Sequence, residues 1–119
     1  MPVLGLAHVG DAVFELMVRT WLCLSGASTA KNLHDRAVGI VSAKAQATAA
    51  CKILPNLDEN ETAVYKRGRN TNLGSVPKGA THEEYHIATG LETLFGHLYL
   101  CGKIKRLNEL FLLMVVSNS

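Results

Sequence analysis

Apolar residues recur at steps of three and four along most of the chain, the spacing that places side chains on one face of an α-helix. Near the start, this pattern predicts a helix that ends at about Ser25 and Gly26, because glycine commonly terminates helices. No segment shows the convincing alternation of apolar and polar residues expected of a half-buried strand. The residues expected to line the buried face of this first helix are Val9, Val13, Leu16, Met17, Thr20 and Leu24.

Capping and helix-breaking residues divide the rest of the chain. A weak capping signal at residues 28–29 predicts a second helix, and an alanine-rich stretch over residues 37–50 continues until Pro55 ends it. Asp58 is expected to cap a third helix, because Glu61 stands three residues later, where a capping box needs it.

Glycine, asparagine and proline over residues 68–79 predict a loop, after which helicity resumes at about Thr81 and continues to Gly102. A short amphipathic helix over residues 104–114 follows, so the predicted fold class is all-α. The apolar face of the fourth helix consists of Ile87, Leu91, Leu94, Phe95 and Leu98.

Length and composition indicate one folded domain over residues 1–119. The chain is 48% hydrophobic and 18% charged, as globular proteins are, and its net charge of +2 alone points to no class of partner. No apolar run approaches the roughly 18 residues of a membrane span, and no leader-like segment opens the sequence, so a soluble cytoplasmic protein is expected. The three cysteines, Cys23, Cys51 and Cys101, are expected to be reduced core residues.

Two acids, Asp11 and Glu92, stand in helical segments that are otherwise almost wholly apolar. Burying a carboxylate costs several kcal/mol unless it is neutralised, and a divalent cation is a natural shared partner for two facing carboxylates. Gly10 and Gly96 would let another helix or a ligand approach these acids closely. Alternatively, both are ordinary acids that are exposed or paired within their own helix. Glu15 has such an explanation, because Arg19 follows it by one helical turn and can pair with it.

A basic stretch provides a separate indication. Residues 62–82 contain no acid but include Lys66, Arg67, Arg69 and Lys78, with Asn70 among them. Cations with amide and hydroxyl donors suit contacts to the phosphate backbone, and a loop of this kind could enter a groove of double-stranded RNA. The alternative is a merely solvated loop.

Four segments together resemble a known family. The run LAHVGDAVFE at residues 6–15 resembles the signature helix of ribonuclease III domains. The runs IVSAKAQA at 40–47, KRGRN at 66–70 and LETLFGHLYL at 91–100 resemble its Mini-ribonuclease III branch, which has the nuclease domain alone. The similarity covers essentially the whole chain in the right order and spacing.

This resemblance implies an all-helical homodimer that cleaves double-stranded RNA with Mg²⁺ and, in bacteria, matures the ends of precursor 23S ribosomal RNA. It implies that Asp11 is the catalytic acid and that Glu92 is the second metal ligand. Glu15, which can pair with Arg19, is expected to have a supporting role. The resemblance also implies that residues 66–70 touch the duplex, and the basic stretch adds Lys78 as a further expected contact. A two-fold dimer would present one site to each strand.

Two differences from the full-length enzymes matter. Ala7 and Thr89 stand where those enzymes carry further carboxylates, as in the shorter branch, which argues against a two-metal mechanism. A double-stranded RNA-binding domain is also not expected, so affinity is expected to come from the nuclease domain, its loop, its symmetry mate or a helper such as a large-subunit ribosomal protein. The alternative function is a noncatalytic RNA-binding or ribosome-associated module, which the presence of Asp11 and Glu92 disfavours.

Overall fold

The described part of the chain is helical throughout, with no strand. The computed structural model describes residues 2–26, 29–71 and 80–115. In chain order, the helices are α1 (Val3–Leu24), α2 (Ala30–Val41), α3 (Ala43–Ile53), α4 (Glu59–Arg69), α5 (His82–Leu100) and α6 (Ile104–Val115), and a 3₁₀ turn (Leu54–Asn56) follows α3. This architecture confirms the predicted all-α class. None of the helices in these ranges is both long and apolar enough to cross a membrane.

Local capping chemistry sets several of the helix boundaries. The predicted capping box of Asp58 and Glu61 begins α4, and Thr81 forms a second box with Glu84 at the start of α5. Gly26, with φ of +91°, follows the end of α1 as expected. The alanine-rich stretch, however, is not continuous: Ser42 has an extended backbone, and its side chain accepts a hydrogen bond from Ala45 N at 3.2 Å. A new helix therefore begins there.

Helix α5 occupies the centre of the fold, and α1, α3 and α4 pack around it. Phe14 of α1 contacts Phe95 of α5 edge to face, with ring centroids 5.6 Å apart, and it meets Phe111 of α6 at 5.9 Å. Such edge-to-face pairs add to the stabilisation that the buried apolar area provides. The core thus joins the helices near both chain ends to the central helix.

The predicted buried stripe of α1 was wrong in part, because Leu16 and Leu24 are 66% and 83% exposed and Thr20 is exposed as well. The buried face is instead centred on Gly10 and carries Leu6, Phe14, Val18 and Leu22. Glycine does not register as apolar in a hydrophobic pattern, so the pattern selected a neighbouring face of the same helix.

The cysteine prediction was half right. Cys23, Cys51 and Cys101 are free thiols, as expected, but all three are exposed rather than in the core. Cys23 and Cys51 each come directly after a fully buried residue on a helix, and Cys101 follows the end of α5. Because successive residues of a helix point in different directions, Cys23 and Cys51 lie outside the core although their neighbours are buried.

Candidate active site

Helices α1 and α5 touch backbone to backbone at two glycines. A Cβ placed on Gly10 would lie 1.6 Å from the carbonyl oxygen of Glu92, and one placed on Gly96 would lie 2.0 Å from that of Leu6. No side chain larger than hydrogen fits at either position. The close approach expected from these small residues is confirmed, and it brings Asp11, next to Gly10, to the side of Glu92.

The two carboxyl groups interact directly. Asp11 is exposed, whereas Glu92 is partly buried. Burial raises the pKa of Glu92 to about 8, and the negative charge of Asp11 and a hydrogen bond with its carboxyl group act in the same direction. A hydrogen bond from Gln46 opposes them. Two acids therefore share a site that disfavours their joint ionisation unless positive charge is supplied.

Gln46 is the site residue that the sequence did not reveal. It lies on α3, is only 2% exposed, and donates from Nε2 to the Val41 carbonyl at 2.9 Å and to Glu92 Oε2 at 3.4 Å. Its Oε1 is buried and has no hydrogen-bond partner. The sequence offered one signal, a single glutamine in an alanine-rich helix. A buried amide normally forms a hydrogen bond with a polar neighbour, so this glutamine could have indicated one.

These residues fit a divalent cation with oxygen ligands. Two carboxylates with uncompensated repulsion offer what Mg²⁺ needs, since this ion keeps several waters and takes few protein ligands. The described residues hold no group of three or more histidine, cysteine or acidic side chains that could enclose a metal completely. Ala7 and Thr89, which stand where the full-length enzymes carry further carboxylates, supply no additional acid. Ala7 is buried, and the Thr89 hydroxyl donates to the Tyr85 carbonyl within its own helix.

Glu15 lies one helical turn after Asp11 on α1. Its carboxylate forms an exposed ion pair with Arg19, as its spacing predicted. Such exposed pairs contribute little to stability, so this contact gives Glu15 a local role only.

Three of the four predicted cations, Lys66, Arg67 and Arg69, lie on a helix instead of in a loop, because α4 continues to Arg69. Lys66 and Arg67 are exposed on its last turn, where positive charge also complements the helix dipole. Arg69 lies 5.8 Å over the ring of Tyr65 and donates from Nε to Asn70 Oδ1 at 3.2 Å. The fifth predicted RNA contact, Lys78, lies outside the described residues.

The end of α4 packs closely on α5 beside the acids. A Cβ on Gly68 would lie 2.3 Å from the Thr93 hydroxyl oxygen and 2.9 Å from the Cα atom of Gly90. Thr93 is the residue after Glu92, so the basic turn is anchored within one turn of the acidic site along α5.

Comparisons with known proteins agree on one family. The ribonuclease III domain family matches residues 4–103 of the chain. Mini-ribonuclease 3 of Clostridium tetani is 40% identical over 116 residues, which cover 97% of this chain and 77% of that protein. Mini-ribonuclease 3 of Brevibacillus brevis is 44% identical over 107 residues, covering 90% of this chain and 80% of that protein.

A solved structure shows the same fold. The crystal structure of a Fusobacterium nucleatum protein superposes with a TM-score of 0.89 at 31% identity and covers 98% of this chain and 89% of that one. The chain therefore belongs to the ribonuclease III family, in its Mini-ribonuclease 3 branch, and is an endoribonuclease that acts on double-stranded RNA.

Proposed function

We propose that this endoribonuclease requires Mg²⁺ and matures the ends of precursor 23S ribosomal RNA in the cytoplasm. The observation that carries the metal requirement is the meeting of Asp11 and Glu92 at the Gly10–Gly96 crossing, where no basic side chain among the described residues lowers the pKa of Glu92. The choice of substrate rests on similarity to the Mini-ribonuclease 3 branch.

In this proposal, Asp11 and Glu92 are the catalytic residues, and both hold the cation. A bound Mg²⁺ supplies Lewis acidity, which makes a water more acidic and offsets charge on the phosphate that is attacked. Asp11 is the exposed member of the pair, whereas Glu92 is partly buried and accepts a hydrogen bond from Gln46. The glycine crossing fixes the spacing between the two acids, and Glu15 supports the same helix through Arg19.

The basic turn of α4 provides the RNA contacts. Lys66 and Arg67 are free to reach phosphates because both are exposed, while Arg69 and Asn70 form the edge of the same surface. Lys78 is proposed to add a further cation from the segment that follows. Contacts of this kind position a duplex without reading its sequence.

The proposed enzyme is a homodimer, so that each of two sites cuts one strand. Leu16 and Leu24 lie about two turns apart on one side of α1 and are 66% and 83% exposed, so this side of the helix carries an apolar surface that suits a contact with a second copy. We place the contact with the second copy on this outer side of α1, around Leu16. A large-subunit ribosomal protein that presents the RNA is a further proposed partner.

The proposal is tested with a long labelled RNA duplex and the matching single strand, each incubated with the protein in Mg²⁺ or in chelator. We expect cleavage of the duplex alone, only with Mg²⁺, and none by Asp11→Asn, which keeps the side-chain shape but loses the charge. Activity that survives Asp11→Asn or the chelator would refute the metal site. Salt-sensitive duplex binding without any cleavage would instead favour a noncatalytic RNA-binding module.

A further inference from the structure

The buried amide of Gln46 connects the acidic site to the break between α2 and α3. Its side chain is almost completely enclosed, yet its Oε1 has no hydrogen-bond partner. An unpaired buried acceptor costs about 1–3 kcal/mol, a cost that a methionine of similar volume would avoid. A polar group kept at such a cost beside two carboxylates indicates a role in the site and not in packing.

The contacts of Nε2 fix the orientation of this amide. The Val41 carbonyl, 2.9 Å away, can only accept a hydrogen bond, so the amide nitrogen must face it. The same nitrogen reaches Glu92 Oε2 at 3.4 Å. Rotating the amide by 180° would place Oε1 against these two acceptors and lose both hydrogen bonds. In the observed orientation, Oε1 is therefore the atom that can accept a hydrogen bond from an O–H donor.

We propose that Gln46 is a positioning residue for the cation site. Its Nε2 holds the Glu92 carboxylate in the orientation that faces Asp11, and its Oε1 accepts a hydrogen bond from a water in the hydration shell of the cation. Mg²⁺ retains several such waters, and removing an outer-shell partner typically weakens metal affinity by about 10- to 100-fold. This inference rests on the proposed metal site.

The test measures Mn²⁺ binding to the RNA-free protein by electron paramagnetic resonance, using wild type and Gln46→Met. We expect the variant to bind Mn²⁺ about 10- to 100-fold more weakly at a temperature where it is fully folded. The matched control is Thr93→Val, because Thr93 is also buried and polar but donates only to the Thr89 carbonyl within α5. The control should bind Mn²⁺ as wild type does.

The outcomes separate this inference from the proposed site. Loss of Mn²⁺ binding in Asp11→Asn together with unchanged affinity in Gln46→Met would overturn the role of Gln46 alone. Retained affinity in Asp11→Asn would overturn the metal site and this inference with it. A role of Gln46 in packing alone would lower the melting temperature without changing the dissociation constant for Mn²⁺, which also overturns the inference.

A measurement on the wild-type protein keeps the inference testable if Gln46→Met does not fold. The side-chain amide signals of Gln46 should shift during titration with Mg²⁺ in a nitrogen–proton correlation spectrum. The same signals should stay in place in Asp11→Asn. Amide signals that do not respond to Mg²⁺ in the wild type would overturn the inference.

Discussion

At the scale of single residues, the proposed metal site places two acids where their mutual repulsion lowers the stability of the fold. Glu92 is partly buried, faces Asp11, and has a raised pKa for both reasons. The metal-free fold therefore carries a repulsive pair that a bound cation would neutralise. Functional sites commonly reduce stability in this way.

Replacing Glu92 by glutamine should exchange function for stability. Glu92→Gln keeps an oxygen that can accept from Gln46 but removes the repulsion with Asp11. In chelator at pH 8, we expect the free energy of unfolding of the variant to exceed that of wild type by about 1–2 kcal/mol, after allowance for the partial exposure of Glu92. The variant should therefore unfold at a higher temperature. Thermal unfolding with and without Mg²⁺ measures this. Only wild type should gain stability from the ion, and an equal gain in the variant would contradict the account.

The glycine crossing leads to a second prediction at a single position. In an isolated helix, changing glycine to alanine stabilises by roughly 1 kcal/mol. At Gly10 the added Cβ would lie 1.6 Å from the Glu92 carbonyl, so we expect Gly10→Ala to destabilise the fold by about 3 kcal/mol or more. Urea unfolding measures the change. A stable Gly10→Ala variant would mean that the two helices are not in backbone contact.

At the scale of helices, an ion pair joins α6 to the start of α4. Arg106 donates from Nε and Nη2 to the two carboxylate oxygens of Glu61, each at 2.8 Å, and Nη2 also reaches the Asn56 carbonyl at 2.7 Å. Glu61 is 3% exposed, and its hydrogen bond to Arg106 holds the pKa of its carboxyl group below the usual value. Bidentate pairs of this kind fix orientation as well as charge.

Acid should weaken this connection. Because the pKa of Glu61 is lower in the folded state, its contribution is complete above the unfolded value of about 4.5 and is lost as pH falls below it. We expect Glu61→Gln to cost about 2–3 kcal/mol at pH 7 and to reduce the loss of stability between pH 5 and pH 3. Glu59→Gln, at an exposed position in the same first turn, is the control. Parallel stability curves for wild type and Glu61→Gln would rule this out.

Much of the helical layout could be read from the sequence, because capping residues act locally. Asp58 and Thr81 begin their helices, and Gly26 follows the end of α1, without help from the rest of the fold. The break at Ser42 was missed, since alanine favours helix on both sides and one hydroxyl decides the boundary.

Contacts between helices were harder to predict. The family signature supplied Asp11 and Glu92, but the partnership of Gln46 with Glu92 spans 46 residues and depends on where α3 restarts. The buried face of α1 was misplaced because its centre is a glycine. Periodic patterns detect large apolar side chains, whereas this interface depends on the absence of one.

At the scale of the whole molecule, the basic turn of α4 and the acids lie along the same stretch of α5. Arg67→Ala should weaken duplex binding at every sequence and lower the salt dependence by about one unit of log–log slope, because one phosphate contact is lost. Binding is measured in Ca²⁺ across a salt series. Lys105→Ala removes an equal charge from an exposed position on α6 and should have little effect. Equal losses in both variants would indicate a general effect of charge.

The proposed homodimer can be tested by its mass in solution. Sedimentation should give twice the chain mass for wild type, and Leu16→Glu should shift the protein to monomer because it buries a charge in the contact. Ile104→Glu places the same charge at an exposed position on α6 and should leave the dimer intact. A monomeric wild type, or dissociation by both substitutions, would contradict the proposed contact on α1.

The most direct test of the account is the position of the metal ion. Anomalous diffraction from crystals soaked in Mn²⁺ locates the ion independently of activity. We expect one strong peak at the crossing of α1 and α5, with oxygen ligands from Asp11 and Glu92 and a bound water near Gln46 Oε1. A peak elsewhere on the protein, or none at this crossing in crystals of an enzyme that is active with Mn²⁺, would contradict the central claim.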